Sequence, residues 1–227
     1  MGEVAVIDVR TEILAENALE ASAIRERLRA GGIVLVNITA SPGAGKTMLI
    51  LETFRRLRGR FRIGVIEGDV ASQVDADRMA AAGVPTVQVT TGGLCHLDVP
   101  MVAAALGRLT PGPFDLVFVE NIGNLVCTAD FDLGADANVV LLSVPEGDDK
   151  PQKYPLIFVT SDALVVTKTD YLPISDFDLG AATAGARVLN PALPIFPVSC
   201  RNGDGLDAWC AWVVERVEAR RRADDHG

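Results

Sequence analysis

The stretch that most constrains this chain is residues 38–47, which read Ile-Thr-Ala-Ser-Pro-Gly-Ala-Gly-Lys-Thr. Gly43 and Gly45 have no Cβ, so the backbone there can adopt unusual φ angles and bring its N–H groups against phosphate oxygens. Lys46 is placed to reach β- and γ-phosphates, and the Thr47 hydroxyl is placed to ligate Mg²⁺. The pattern predicts a nucleotide site formed by Ser41, Pro42, Gly43, Ala44, Gly45, Lys46 and Thr47.

One position departs from the usual phosphate-binding pattern G-x-x-x-x-G-K-[ST], because Ala40 stands where the first glycine is expected. The flanking residues nevertheless have the required character. Residues 33–38 are apolar throughout except for Asn37, as in a buried strand, and residues 48–54 continue into a helix. Strand, loop and helix in this order favour a nucleotide site over a glycine-rich turn without a ligand.

Charge and composition argue against two broad classes of protein. A net charge of −9 does not suit a general binder of nucleic acid or of anionic membrane surfaces, since both select for basic patches. The N-terminal segment, with Glu3, Asp8 and Glu12, lacks the basic and then apolar order of a signal peptide. We therefore expect a cytoplasmic protein, in which the widely spaced Cys95, Cys127, Cys200 and Cys210 are free thiols or metal ligands rather than disulfides.

Apolar runs of strand type alternate with segments of helical periodicity along the chain. Predicted strands are 33–39, 61–67, 84–89, 114–119, 138–144, 162–167 and 194–199, and predicted helices are 11–31, 46–59, 73–82, 98–109, 176–189 and 204–222. Several strands are apolar at consecutive positions, which is typical of strands covered on both faces. We predict an α/β fold with a mostly parallel central sheet, helices on both faces, and a single domain spanning 1–227, with two long irregular stretches at 120–137 and 145–156.

Carboxylates follow two of the predicted strands. In open parallel sheets ligands lie at the carboxyl ends of the strands. Asp69 follows the strand 61–67, and Glu120 follows the strand 114–119. Such carboxylates can hold Mg²⁺ directly or through water, and Gly123 supplies a backbone N–H that can sense a γ-phosphate.

A guanine-binding signature follows the strand 162–167. Thr167-Lys168-Thr169-Asp170 is a variant of Asn-Lys-x-Asp, in which Asp170 accepts two hydrogen bonds from guanine N1 and N2 and the Lys168 stem lies along the purine. Thr167 replaces the usual Asn and removes one amide donor, which predicts weaker base affinity. After the last strand, backbone N–H groups of Ser199, Cys200 and Arg201 are placed to meet guanine O6.

A second cluster of chemistry-bearing residues is Cys95, His96 and Cys127. Thiolate and imidazole together suit Ni²⁺ or Zn²⁺. The alternative is that the cysteines are small buried hydrophobes and the histidine a satisfied polar residue. Three ligands do not complete a tetrahedral site, so water, Asp98 or the same residues of a second subunit would have to complete it.

Several segments together carry a family resemblance. They read Ser-Pro-Gly-Ala-Gly-Lys-Thr at 41–47, Glu-Gly-Asp-Val at 67–70, Thr-Gly-Gly-Leu-Cys-His-Leu-Asp at 91–98, Glu-Asn-Ile-Gly-Asn-Leu-Val-Cys at 120–127 and Glu-Gly-Asp-Asp-Lys-Pro-Gln-Lys-Tyr-Pro at 146–155. From about residue 11 to 217 the chain resembles HypB, the family of GTPases that helps deliver nickel to [NiFe]-hydrogenase. The Cys-His-Leu segment distinguishes it from UreG, which has Cys-Pro-His there.

This resemblance implies a slow P-loop GTPase of the SIMIBI class that uses GTP and Mg²⁺ and dimerises with GTP. It implies catalytic roles for Lys46, Asp69, Asp75 and Glu120, with Thr47, Asp69 and Glu120 near Mg²⁺, and a Ni²⁺ or Zn²⁺ site of Cys95, His96 and Cys127 at the dimer interface. A HypA-like nickel-handling protein and the hydrogenase large subunit precursor are the implied partners. Residues 1–32 contain no Cys or His, so the N-terminal metal motifs of many relatives are not expected here.

Because Cys127 follows Gly123 in the same loop, a γ-phosphate contact at Gly123 is expected to move a metal ligand and so couple the two sites. Three rival functions remain at this point. They are a GTP-gated dimerisation module with a structural zinc site, a nickel GTPase of the UreG type, and an ATP-using relative, the last disfavoured by Asp170.

Overall fold

The computed structural model describes residues 9–70 and 72–224, so Glu3 and Asp8 of the N-terminal segment lie outside it. Its strands are β1 (Val34–Ala40), β2 (Ile63–Asp69), β3 (Thr86–Thr90), β4 (Leu116–Gly123), β5 (Ala137–Ser143), β6 (Ala163–Thr167) and β7 (Ile195–Pro197). Its α-helices are α1 (Val9–Ala30), α2 (Lys46–Leu57), α3 (Val74–Ala81), α4 (Val99–Leu106), α5 (Cys127–Asp130), α6 (Lys150–Lys153), α7 (Pro155–Thr160), α8 (Leu179–Leu189) and α9 (Leu206–Asp224).

The seven strands form one sheet in the order β3-β2-β4-β1-β5-β6-β7, and every neighbouring pair is parallel. Every residue of the central strand β1 is buried. Its side chains alternate between two apolar clusters, with Val34 and Val36 in one and Leu35 in the other. Helices therefore cover both faces, which confirms the predicted α/β fold with a parallel sheet.

One face of the sheet packs on α2 and α9. Trp209 is fully buried, stacks on Trp212 at 5.3 Å between ring centroids, and donates its indole N–H to Thr53 at 2.8 Å. Cys210 lies in the same buried cluster, and Cys200 packs against it. Both cysteines are free thiols, in agreement with the expectation that they do not form disulfides.

The opposite face is divided by three polar residues, which we call the asparagine strip: Asn37 on β1, Asn121 on β4 and Asn138 on β5. Asn121 donates its amide N–H to Asn37 Oδ1 at 3.2 Å, and Asn37 donates to Asn138 Oδ1 at 3.0 Å. One apolar cluster on this face includes residues of α1 and α4, and the other includes residues of α7 and α8. The strip therefore carries hydrogen bonds between three strands, in the region that separates two apolar clusters.

The predicted irregular stretches 120–137 and 145–156 are only partly irregular. β4 continues to Gly123, and α5, α6 and the start of α7 lie within these ranges. The helices have four to six residues, too few to show the 3.6-residue periodicity that identifies a helix from sequence. In the described part of the chain, no helix has the length and apolar character needed to cross a membrane.

β4 contains a bulge where it passes β1. Ile38 pairs with Glu120 and Ala40 with Gly123, so two residues of β4, Asn121 and Ile122, lie opposite the single Thr39. Bulges are frequent beside functional sites, where they redirect side chains. This one brings Gly123 so close to the phosphate-binding loop that a Cβ there would lie 2.9 Å from the Pro42 nitrogen.

Candidate nucleotide and metal sites

The predicted phosphate-binding loop connects β1 to α2, which begins at Lys46. Gly43 and Gly45 have φ angles of 74° and 96°, a region that side chains with a Cβ rarely adopt. Ala40 is the last residue of β1 and lies in the strand ladder, where the extended backbone does not require glycine. The replaced first glycine is therefore compatible with the loop.

The carboxyl groups of Glu67 on β2 and Glu120 on β4 are buried near the start of α2. Thr47 donates its hydroxyl to Glu120 Oε1 at 2.8 Å, while Glu120 Oε2 and Glu67 Oε2 are buried and have no hydrogen-bond partner. The two glutamates are direct neighbours in the β2–β4 ladder. Burial, opposed by Lys46, raises the pKa of Glu120 to about 7, and burial together with the charge of Glu120 raises the pKa of Glu67 to about 8. Unpaired buried carboxyl oxygens beside a hydroxyl fit a divalent cation.

The other two predicted carboxylates lie nearby. Asp69 ends β2 and accepts the N–H of Ser72 at 2.6 Å. Asp75 lies in the first turn of α3 and pairs with Arg78 at 3.0 Å. The charges of both raise the pKa values of Glu67 and Glu120, so all four carboxyl groups share one electrostatic environment.

The guanine signature lies beside the phosphate-binding loop and is hydrogen-bonded to it. Thr167 donates its hydroxyl to the Ala44 carbonyl at 2.6 Å, and Lys168 Nζ donates to the Gly43 carbonyl at 2.7 Å. Next to them is a cavity of about 330 Å³, lined by Gly45, Met48, Thr167, Lys168, Asp170, Tyr171, Cys200 and Arg201. The predicted residues Gly45, Thr167, Lys168, Asp170, Cys200 and Arg201 therefore lie together, and Met48 and Tyr171 join them in the lining.

Asp170 is held by Ser199, whose hydroxyl donates to Asp170 Oδ1 at 2.7 Å. Arg201 approaches the same carboxylate at 3.9 Å. The backbone N–H of Ser199 donates to the Asp204 carbonyl at 2.9 Å and is not free to meet guanine O6, so that predicted contact is left to the N–H groups of Cys200 and Arg201. Ser199 instead orients the carboxylate through its side chain.

Cys95, His96 and Cys127 form a compact set of metal-ligating atoms that lie within 4.8 Å of one another. The two sulfur atoms are 2.6 Å apart, and Cys95 Sγ lies 3.7 Å from His96 Nδ1. The His96 ring stacks on Phe131 at 3.8 Å. Burial lowers the pKa of His96 against the opposing charge of Asp98, which favours the neutral imidazole that binds metals. Two sulfurs and an imidazole fit Ni²⁺ or Zn²⁺.

Asp98 is not part of this set. Its side chain accepts the N–H of Met101 at 2.8 Å and caps α4. Of the three candidates to complete the metal site, Asp98 is thus engaged elsewhere in this structure, which leaves water or a second subunit. The capping role follows from its position immediately before the helix, with Pro100 in the first turn.

A short, hydrogen-bonded segment joins the nucleotide site to Cys127. Gly123 contacts the phosphate-binding loop, and the side chain of Asn124 accepts the N–H groups of Val126 and Cys127 at 2.7 and 3.0 Å. Asn124 Nδ2 also lies 3.6 Å from Cys127 Sγ. Only three residues therefore separate the loop contact at Gly123 from a sulfur of the candidate metal site.

Sequence reasoning did not assign three residues of these sites. Glu67 was recognisable as a carboxylate inside an apolar strand, and Asn121 as an amide in another. Phe131 had no local signal, because its stacking on His96 joins two segments that are distant in the chain.

Comparison with known proteins places the chain in a family. Residues 34–197 match the family described as CobW/HypB/UreG, nucleotide-binding domain. The hydrogenase maturation factor HypB of Azotobacter vinelandii is 44% identical over 96% of this chain and 72% of its own length. That of Escherichia coli K12 is 41% identical over 94% of this chain and 73% of its own length.

A solved structure is also closely similar. The crystal structure of HypB from Helicobacter pylori in complex with nickel is 36% identical, with a TM-score of 0.83, over 90% of this chain and 96% of that one. The chain therefore belongs to the HypB hydrogenase maturation factors of the CobW/HypB/UreG nucleotide-binding family.

Proposed function

We propose that this chain is a GTP hydrolase that controls a nickel site and delivers nickel during [NiFe]-hydrogenase maturation. Membership of the HypB family and the nickel complex of the Helicobacter pylori relative support the proposal. The observation that carries it is the segment from Gly123 to Cys127, because it touches the phosphate-binding loop at one end and ends in a metal ligand.

In the nucleotide half, backbone N–H groups of residues 43–47 bind the phosphates, and Lys46 contacts the β- and γ-phosphates. Thr47, Asp69 and Glu120 hold Mg²⁺, which when bound offsets the charge of the phosphates. Glu67 shares the buried environment of Glu120. Asp75 lies near enough to contribute to the same electrostatic field. The products are GDP and phosphate, and we expect slow turnover.

In the base pocket, Asp170 selects guanine by accepting hydrogen bonds from N1 and N2. Adenine has no matching pair of donors and would leave the carboxylate unpaired, which is costly in a partly enclosed site. Lys168 and Thr167 connect this pocket to the phosphate loop, and Cys200 and Arg201 line it. ATP should therefore compete poorly with GTP for binding.

In the metal half, Cys95, His96 and Cys127 bind Ni²⁺, with Zn²⁺ as the competing ion. Leu94 and Val126, beside the two cysteines, are 47% and 57% exposed. An apolar rim around a three-ligand site suits a second copy of the chain, so we propose a GTP-dependent homodimer across this face. A HypA-like protein and the hydrogenase large subunit precursor are the proposed partners, in the cytoplasm.

The test is a titration of Ni²⁺ into the protein loaded with GDP or with a non-hydrolysable GTP analogue. A γ-phosphate that moves Gly123 should change nickel affinity by about fivefold or more, the lower end of usual coupling energies. Cys127→Ser should abolish the tight site in both states. Equal nickel affinities in the two states would contradict the coupling.

A permanently held structural zinc ion is the alternative function of the same cluster. All three ligands are only half-buried, which favours exchange of the metal. Release of the bound metal to a chelator should therefore occur within minutes and should depend on the nucleotide. A metal that resists chelators in both states would favour the structural zinc site.

A further inference from the structure

Asn121 follows Glu120 of the nucleotide site in the chain and is hydrogen-bonded to the segment that carries Cys95 and His96. Its side-chain oxygen accepts the N–H of Leu97 at 3.2 Å, and Leu97 directly follows the metal ligand His96. Its side-chain amide donates to Asn37 on β1. Asn121 is 1% exposed and Leu97 is fully buried, so solvent does not compete for these hydrogen bonds.

The position of Asn121 on β4 is equally specific. It directly follows Glu120, which accepts the hydroxyl of Thr47, and it precedes Gly123 by two residues. It is the first residue of the β4 bulge, and its Oδ1 also accepts the N–H of Ile122, the second bulge residue, at 2.9 Å. One oxygen atom thus holds both the bulge and the metal loop.

A shared acceptor couples the two groups that donate to it. If a γ-phosphate moves the end of β4, the bulge must shift or rotate, and the Asn121 side chain moves with its backbone. Because the hydrogen bond to Leu97 is buried, breaking it would leave a buried N–H group without an acceptor, and this cost favours movement of the Leu97 backbone together with Asn121. The segment carrying Cys95 and His96 then follows β4.

We propose that Asn121 is a positioning residue that transmits the nucleotide state from β4 to the Cys95–His96 segment. The proposal rests on the function proposed above and adds a second connection to it. Gly123 to Cys127 moves one ligand along the chain, and Asn121 moves the other two through Leu97. The metal site changes as a unit because β4 controls both of its halves.

Asn138 provides a control for a purely structural effect of removing a strip amide. Asn121 and Asn138 both belong to the asparagine strip, but only Asn121 contacts the metal loop and the bulge. Asn138→Ala removes a strip amide and leaves the Asn121 contacts in place. It serves as the control for the loss of a strip amide, at a position that is half-buried.

The experiment compares wild type, Asn121→Ala and Asn138→Ala in full-length protein. For each, the nickel dissociation constant is measured with GDP and with the non-hydrolysable GTP analogue. We expect Asn121→Ala to reduce the ratio of the two constants to less than about twofold, because the contacts that couple the two sites are lost. GDP affinity should stay within about threefold of wild type, because Asn121 has no proposed contact with the nucleotide. Asn138→Ala should keep the wild-type ratio.

The outcomes separate this proposal from the previous one. If the wild-type ratio differs from 1 and Asn121→Ala keeps that ratio, only the role of Asn121 is refuted. The same holds if Asn138→Ala reduces the ratio as much as Asn121→Ala does. A wild-type ratio of one rejects both proposals. If Asn121→Ala does not fold, hydrogen exchange of the Leu97 amide in wild type decides, since identical protection in both nucleotide states would refute the proposal.

Discussion

Thr167→Val is the sharpest test of how the guanine signature works in this chain. Thr167 is 2% exposed, and its hydroxyl donates to the Ala44 carbonyl at 2.6 Å. Valine keeps the shape of the side chain and removes only the donor. The variant therefore asks whether residue 167 acts on the base or on the phosphate-binding loop.

The expected magnitude follows from the buried carbonyl. Leaving a buried acceptor without its donor costs about 1–3 kcal/mol. In the nucleotide-free protein the phosphate-binding loop can shift and so reduce this free-energy cost, whereas bound phosphates hold the loop in one position. We expect a net loss of about 1–2 kcal/mol in GDP binding, which is a 5- to 30-fold rise in the dissociation constant.

The assay is isothermal titration of GDP and GMP into wild type, Thr167→Val and Thr167→Ser. GMP has no β-phosphate, so its binding should change by less than about threefold if Thr167 acts through the loop, while serine should restore GDP binding because it keeps the donor. Equal losses for GDP and GMP would show that residue 167 acts on the base. Unchanged GDP binding in Thr167→Val would refute the reasoning altogether.

Two further predictions concern stability. The Asp115 carboxylate accepts the backbone N–H of Arg62 at 2.8 Å and its guanidinium at 2.9 Å, which holds the pKa of Asp115 well below its usual range. Its stabilising contribution is therefore present above the usual pKa and lost as the pH falls below it. Asp115→Asn should lower the free energy of unfolding in urea by about 1–3 kcal/mol at pH 7, and this difference from wild type should shrink between about pH 4 and 2. A difference that does not change with pH would contradict this account. Gly134→Ala should destabilise more than Gly83→Ala, because both have positive φ but only the Cβ at Gly134 would meet Ile24, at 2.2 Å. The control should cost only about 1–2 kcal/mol for the backbone conformation, and equal urea midpoints would contradict the steric argument.

The sequence predicted what depends on local pattern. Consecutive apolar residues predicted strands buried on both faces, and the glycines of residues 43–45 predicted the tight loop, because each signal lies within a few neighbouring residues. The helices α5, α6 and α7 were missed for the opposite reason. Each has at most six residues, too short for periodicity to show.

The contacts of the sites depended on pairing between distant segments. The backbone N–H of Ser199 was expected to face the base, but it donates to the Asp204 carbonyl because the chain turns back there. The Ser199 hydroxyl instead donates to Asp170. The β4 bulge has no sequence signature, because it is defined only against the partner strand β1. The role of Asn121 could not be inferred before that pairing was known.

The two outermost strands of the sheet have a consequence for how copies of this chain can associate. β3 has five residues, and β7 has three, ending in Pro197, which has no N–H to offer another strand. Short borders of this kind discourage growth of a sheet from one molecule into the next. Extension of the sheet is therefore a disfavoured way for copies to associate, which is consistent with the proposed homodimer across the face that carries Cys95 and Cys127.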